Sequence, residues 1–284
     1  MSEPGSDGVR TALPLRMADG ARADLLIFRP EMTPRAAVLW IPALGVAARH
    51  YEPLAQALAS HGIAVAIHEW RGHGSSDQRA SRQNNWGYRT LLGDDLPASL
   101  RALAGAFPAA PLYVGGHSLG GQLSTLLASM TGTTLHGIIL VSSGAPYWRR
   151  FRPWVGLAYV AAPLLARLVG RLPGRQIGFG GNEARGVIED WARSGRTGRY
   201  AARGLPVDLE ATLRGVRLPV LALRLRDDWL GPAASLSFLL EKMPDAAQTI
   251  GVIGPEDLAG IDADHFGWMK MPARIAARVA DWLA

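Results

Sequence analysis

Eight runs of apolar or β-branched residues, each five to seven long, alternate along most of the chain with stretches of helical spacing. The first two, Thr11–Leu15 and Ala23–Phe28, flank a turn with Asp19-Gly20 at its tip, which predicts an antiparallel hairpin. The next, Ala36–Ile41 and Ile63–Ile67, are unbroken apolar runs of the kind found in strands buried on both faces. Pro111–Gly115, His136–Val141, Val220–Leu225 and Ala247–Ile253 complete the set. Helices are predicted over His50–Ser60, with Gly62 as a C-terminal stop, and over Thr90–Ala106, Gly120–Met130, Ala234–Lys242 and Ala273–Leu283. Strands that alternate with helices specify an α/β architecture. The expected form is a mostly parallel, twisted, eight-stranded sheet flanked by helices.

The alternation stops after Ser143. From Tyr147 to Gly204 the chain reads as short helices containing Trp and Pro. This divides the chain into a core, residues 1–146 and 205–284, and an inserted unit, residues 147–204, after the sixth strand. Charge follows the same division. The insertion holds 11 Arg against Glu183, Glu189 and Asp190, a net +8, so the remainder of a chain of net +6 is about −2. A basic helical surface is first of all a solvated one. It also suits peripheral contact with anionic lipid. Nucleic acid is not an expected partner, because no recognition motif accompanies the charge. Composition sets further bounds. With 48% hydrophobic and 19% charged residues, 284 residues build a packed core. The absence of cysteine excludes disulfides, thiolate metal sites and a cysteine nucleophile. The polar start Met1–Gly8 and the lack of a long apolar run lead to the expectation of a soluble, cytoplasmic protein.

Candidate chemistry centres on Gly116-His117-Ser118-Leu119-Gly120. This G-x-S-x-G follows a predicted strand and opens a predicted helix, the setting in which a serine is held on a tight, strained turn. Gly116 and Gly120 provide the room such a turn needs. A serine hydroxyl requires a base. Of seven histidines, His265 lies in the loop between the last strand and the last helix, on the sheet edge where parallel strands end. The imidazole requires an acid. The strand Val220–Leu225 is followed by Asp227 and Asp228, and Asp228 is the preferred acid with Asp227 as the alternative. An oxyanion needs N–H donors. Leu119 is the first choice of donor. The second comes from the loop after Ala36–Ile41, where Pro42 has no N–H; Leu44 is preferred, with Ala43 in reserve. No metal or organic cofactor is expected.

With the order Ser118, Asp228, His265, the chain resembles the α/β-hydrolase superfamily over nearly its whole length. Arg71-Gly72-His73-Gly74-Ser75 and Asp228-Trp229-Leu230-Gly231-Pro232 are similar to that superfamily's arginine–glycine loop and acid turn. His265-Phe266-Gly267, the Pro42–Val46 loop and Tyr147-Trp148-Arg149 resemble a group of bacterial hydrolases described as serine aminopeptidase-like or lysophospholipase-like. The resemblance implies the α/β-hydrolase fold with residues 147–204 as a helical lid. Two positions depart from the pattern: Pro42-Ala43 replaces the usual His-Gly, and Glu69-Trp70 stands where an aspartate usually opens the arginine–glycine loop. The leading expectation is a serine hydrolase acting on a carboxylic ester with an apolar acyl group. Acyl transfer and peptide hydrolysis by the same triad, and non-catalytic binding on this fold, are the alternatives.

Overall fold

The computed structural model describes residues 9–131 and 134–284. The polar stretch Met1–Gly8 lies outside the described residues. The elements in chain order are β1 (Val9–Arg16), β2 (Arg22–Arg29), β3 (Ala36–Ile41), α1 (Glu52–Ser60), β4 (Ile63–Ile67), α2 (Tyr88–Thr90), α3 (Leu96–Ala106), β5 (Leu112–His117), α4 (Leu119–Thr131) and β6 (Gly137–Val141). There follow α5 (Val155–Val169), β7 (Arg171–Pro173), α6 (Gly174–Ile177), β8 (Asn182–Ala184), α7 (Arg185–Thr197) and α8 (Leu209–Arg214). The chain then runs through β9 (Val220–Leu225), α9 (Ala233–Leu240), β10 (Gln248–Ile253) and α10 (Ala273–Trp282).

Eight of these strands form one sheet in the order β1-β2-β4-β3-β5-β6-β9-β10. β2 pairs antiparallel with both β1 and β4, and every other pairing in this sheet is parallel. β3 shows why its sequence is apolar at every position. Ala37, Leu39 and Ile41 point into a core with Leu96, Leu103 and Leu123, whereas Ala36, Val38 and Trp40 point into a second core with Leu54, Leu58, Ile275 and Val279. Successive side chains of a strand go to opposite faces, and here α3 and α4 cover one face while α1 and α10 cover the other. The loops that follow β3, β5, β6, β9 and β10 leave the C-terminal edge of this sheet, so residues distant in sequence share one rim.

The helix predicted from Thr90 starts earlier and is not regular. It begins at Tyr88 and passes through a π turn at Leu91–Asp95. The wider turn brings Asp95 onto Arg71, whose Nε and Nη2 donate to its carboxylate at 2.9 and 2.7 Å. Arg71 also donates to Asp19, so the arginine–glycine loop is anchored to both the hairpin and α3.

The segment between β6 and β9 holds two helices longer than expected, α5 with 15 residues and α7 with 13. They pack through Tyr159 and Trp191, whose rings lie 4.6 Å apart. Between them runs a small antiparallel pair, β7 with β8. Sequence reading missed these strands because they are three residues each, too short for a period to show. Gly170 and Gly178, at φ 93° and 72°, reverse the chain around them. The segment is seated closely on the core. A Cβ on Gly45 would lie 2.0 Å from the amide nitrogen of Gly181. His73 Nε2 lies 3.2 Å from Glu183.

Candidate active site

Ser118 occupies the turn between β5 and α4 with φ 56°, a left-handed conformation that costs a serine of order 1–3 kcal/mol. The surroundings hold it there. Its N–H donates to the Val141 carbonyl at 3.1 Å, and its own carbonyl accepts from Gln122 N–H and from Ser143 Oγ at 3.2 and 2.7 Å. The flanking glycines are a steric requirement. A Cβ on Gly116 would come within 2.5 Å of the Ile41 carbonyl oxygen, and one on Gly120 within 2.0 Å of that oxygen and 2.4 Å of the Pro42 oxygen. The turn therefore lies directly against the end of β3 and the loop after it.

Asp228 follows β9 and is buried. Its Oδ1 accepts the N–H groups of Leu230 and Gly231 at 2.9 and 2.8 Å, which forms the tight turn after the strand. Its Oδ2 accepts the Ser142 hydroxyl at 2.7 Å and lies 2.8 Å from Nδ1 of His265. Burial pushes this carboxyl upward, but the hydrogen bond and charge of His265 and the donors around it outweigh burial and hold it below its ordinary value. Asp228 is thus an anion at neutral pH, and Nδ1–H of His265 donates to it. Asp227 points to solvent; its contribution is a backbone N–H to the Ala263 carbonyl at 3.0 Å, which ties the acid turn to the His265 loop. That loop is shaped by Asp264, whose carboxylate accepts the N–H groups of Phe266 and Gly267, and by Trp268, whose indole N–H donates to the His265 carbonyl.

With Nδ1 engaged, His265 presents Nε2 to a cavity that Ser118 also lines. Among the described residues no hydrogen bond joins the two side chains. The loop after β3 borders the same cavity. Here the Ala43 N–H donates to Tyr51 Oη at 2.9 Å, and Tyr51 Oη lies 2.7 Å from Nδ1 of His117. Burial raises the Tyr51 phenol well above its usual range, and burial followed by the nearby His265 keeps His117 well below its own. The phenol therefore donates to a neutral imidazole. Ala43 N–H is consumed, and among the described residues no acceptor takes the N–H of Leu44 or of Leu119, both of which border the cavity. The departure at Glu69-Trp70 has a structural counterpart: the Trp70 indole donates to the Ala43 carbonyl at 3.1 Å, and Glu69 accepts the Ala48 N–H at 3.1 Å. Both brace the loop after β3.

The cavity has a volume of about 220 Å³. Its walls are mostly aliphatic and aromatic, with Phe151, Trp154, Tyr159, Phe179 and Trp191 contributed by residues 147–204, and Gln122 and Ser142 are the polar side chains beside Ser118 and His265. Among the described residues no Asp, Glu, Lys or Arg lines it.

The sequence prediction placed Ser118, His265, Asp228, Leu119 and Leu44 at one rim, and the structure brings all five together there. It did not anticipate Ser142, Ser143 or Tyr51. Ser142 and Ser143 carried a weak signal, since hydroxyl residues at the end of β6 adjoin both β5 and β9. Tyr51 carried none.

A scan against family models matches residues 32–192 to the family described as serine aminopeptidase, S33. That range is more than half of the chain. The chain belongs to the serine aminopeptidase, S33, family. The matched range holds Ser118 and the loop after β3, and Asp228 and His265 lie beyond it. Among curated proteins, the monoglyceride lipase of Rattus norvegicus is 30% identical over 131 residues, 44% of this chain and 40% of the relative. A monoglyceride lipase homolog of Monkeypox virus is 27% identical over 115 residues, 40% of this chain and 41% of the relative. The chain thus matches about two fifths of the length of these relatives. Among solved structures, the esterase domain of a Rhodothermus marinus protein superposes with a TM-score of 0.63 at 16% identity, covering 96% of this chain and 97% of that one. A hydrolase from Pseudomonas aeruginosa gives a TM-score of 0.62 at 16% identity, covering 96% and 98%. These likenesses speak for the fold, and this S33 member has the α/β-hydrolase fold. Among the described residues no helix is long and apolar enough to cross a membrane.

One histidine near this S33 site makes a stability prediction. His68, at the end of β4, is fully buried with Nδ1 2.9 Å from Ser99 Oγ. Burial, aided by the Arg71 charge, pushes it down to about 3. An unfolded histidine titrates at about 6.5, so between these values the unfolded state binds the extra proton. The contribution is complete above about pH 6.5 and is lost as pH falls toward 3. The thermal midpoint of wild type should drop across that window, and His68→Gln should flatten part of the drop. Parallel curves for the two proteins would rule this assignment out.

Proposed function

We infer that the protein hydrolyses carboxylic esters of uncharged, apolar acyl groups through an acyl-enzyme on Ser118, with residues 147–204 as the lid over the acyl site. The observation that carries this reading is the Asp228–His265 hydrogen bond at the rim of an apolar cavity that also holds Ser118 and two N–H groups without acceptors. As Ser118 Oγ attacks the ester carbonyl, Nε2 of His265 takes its proton, and the anionic Asp228 stabilises the imidazolium. The carbonyl oxygen gains charge and accepts from Leu119 N–H and Leu44 N–H. His265 then returns the proton to the departing alkoxide, and the alcohol leaves. Water, deprotonated by the same nitrogen, attacks the acyl-enzyme; the acyl–Oγ bond breaks, His265 returns the proton to Ser118 Oγ, and the acid leaves.

The ester reading is favoured over aminopeptidase activity by the walls of the cavity. An N-terminal ammonium would enter a site with no facing carboxylate, and a buried unpaired charge is costly. The names of the monoglyceride lipase relatives are compatible with an ester substrate. The test is a panel of p-nitrophenyl esters. Medium-chain acyl esters should be cleaved with kcat/KM at least about a hundredfold above that for aminoacyl esters of equal size bearing a free ammonium. Preference for the aminoacyl esters would overturn the reading.

A further inference from the structure

Helix α5 separates two different environments. Its inner face, with Val155, Ala158 and Tyr159, borders the apolar cavity. Its outer face carries Leu157, Val160, Leu164 and Leu168 in one stripe, and the two ends of that stripe, Leu157 and Leu168, are 71% and 73% exposed. No described residue covers them. Apolar side chains left in water along one helix face mark a contact surface.

Beside the stripe lies a second cavity of about 320 Å³, between α5 and α7, unrelated to Ser118. Val160, Pro163 and Leu164 form its apolar side, and Arg167, Arg193, Arg196 and Arg203 form its polar side with Glu189. The carboxylates account for part of the charge only. Arg167 donates to Glu189 at 2.7 Å and Arg193 to Asp190 at 2.8 Å. Arg196 donates to the Tyr159 carbonyl at 2.5 Å, which is neutral, and Arg203 has no ion pair among the described residues. Four arginines against two carboxylates leave a formal +2 at a groove whose other wall is hydrocarbon.

We propose that this groove receives the phosphate headgroup of an anionic phospholipid in a bilayer, with the outer stripe of α5 resting on the acyl boundary of the same leaflet. Guanidinium groups match phosphate oxygens in geometry and charge. An apolar stripe alone would not select a bilayer over another protein; the cationic groove continuous with it does. The surface would set the protein at a lipid interface with α5 between the lipid and the acyl site. It is independent of the ester reading, since it uses neither Ser118 nor its partners.

The experiment is co-sedimentation of the full chain with vesicles of phosphatidylcholine alone and of phosphatidylcholine mixed with phosphatidylglycerol. Binding is expected to the mixed vesicles, weakening as salt rises, with a blue shift in the fluorescence of exposed tryptophan such as Trp154. Arg167→Gln with Arg203→Gln should lower partitioning on the order of thirtyfold. Leu157→Gln with Leu168→Gln should lower it independently. All four positions are exposed or lie at the groove, away from Ser118, so both double variants should keep wild-type labelling by a fluorophosphonate probe, which checks folding. Equal binding to neutral vesicles, or unchanged binding by both double variants, would overturn the proposal. Two further results would do the same. One is inorganic phosphate binding at the groove with no vesicle binding, which makes the site one for a free anion. The other is a dimer in solution that Leu157→Gln with Leu168→Gln dissolves, which makes a second copy the occupant of the stripe.

Discussion

Ser118→Ala is expected to lower kcat on ester substrates by about 10⁴-fold or more and to abolish fluorophosphonate labelling, with the thermal midpoint held or slightly raised. The nucleophile in the proposed reaction is one oxygen atom, and no neighbouring hydroxyl stands in its place. Ser142 Oγ is committed to Asp228 and Ser143 Oγ to the Ser118 carbonyl. Ser118 makes its structural contacts through its backbone, and alanine keeps those contacts. His265→Ala should match the loss of kcat, because groups that act as one unit do not add. Activity and labelling in Ser118→Ala equal to wild type would refute the nucleophile assignment.

Asp228→Asn should lower kcat on the order of 10⁴-fold, and Asp227→Asn should change it little. Oδ2 of Asp228 accepts from Nδ1–H of His265 and from Ser142, which in the proposed reaction leaves Nε2 to take the proton of Ser118. An amide at residue 228 would turn an NH₂ toward one of these donors or leave an N–H of the turn unpaired. The first moves the imidazole proton from Nδ1 to Nε2, and the second loosens the turn that carries the acid. Asp227 faces solvent, and among the described residues its tie to the site is through its backbone N–H. Steady-state kinetics on both variants, with circular dichroism to exclude unfolding, decides the matter; the opposite ranking would exchange the two roles. Ser142→Ala is the informative companion, because it removes one donor to Asp228 while leaving the imidazole bonded.

The elements of this chain were largely legible. β3 and β4 are unbroken apolar runs because helices cover both faces of the sheet, and such runs leave few readings besides buried strand. Ser118 was legible for a local reason. The demand on its backbone is met by Gly116 and Gly120 within two residues, so motif and cause sit together in the sequence. The partners of Asp228 were not legible in the same way. Ser142 and His265 lie 86 and 37 positions from it, and the sequence showed only that loops end at one rim. Tyr51 was invisible. Its role depends on a phenol reaching His117 across 66 positions, and a tyrosine in a helical run reads as core.

The amino-acid sequence by itself determined where strands and helices form, that a serine sits on a strained turn, and that one basic segment interrupts the core. These follow from short-range sterics and from the periodic burial of apolar side chains. Only the tertiary structure decided that Ala43 gives its N–H to Tyr51 while the Leu44 N–H meets no acceptor among the described residues, and that the cavity beside Ser118 has mostly apolar walls. It alone showed that Tyr159 turns inward from α5 while Leu157 turns out. An apolar residue on a helix looks the same in sequence whichever face it occupies. What distinguishes the faces is the set of distant groups brought against each, and that set exists only after the chain has folded.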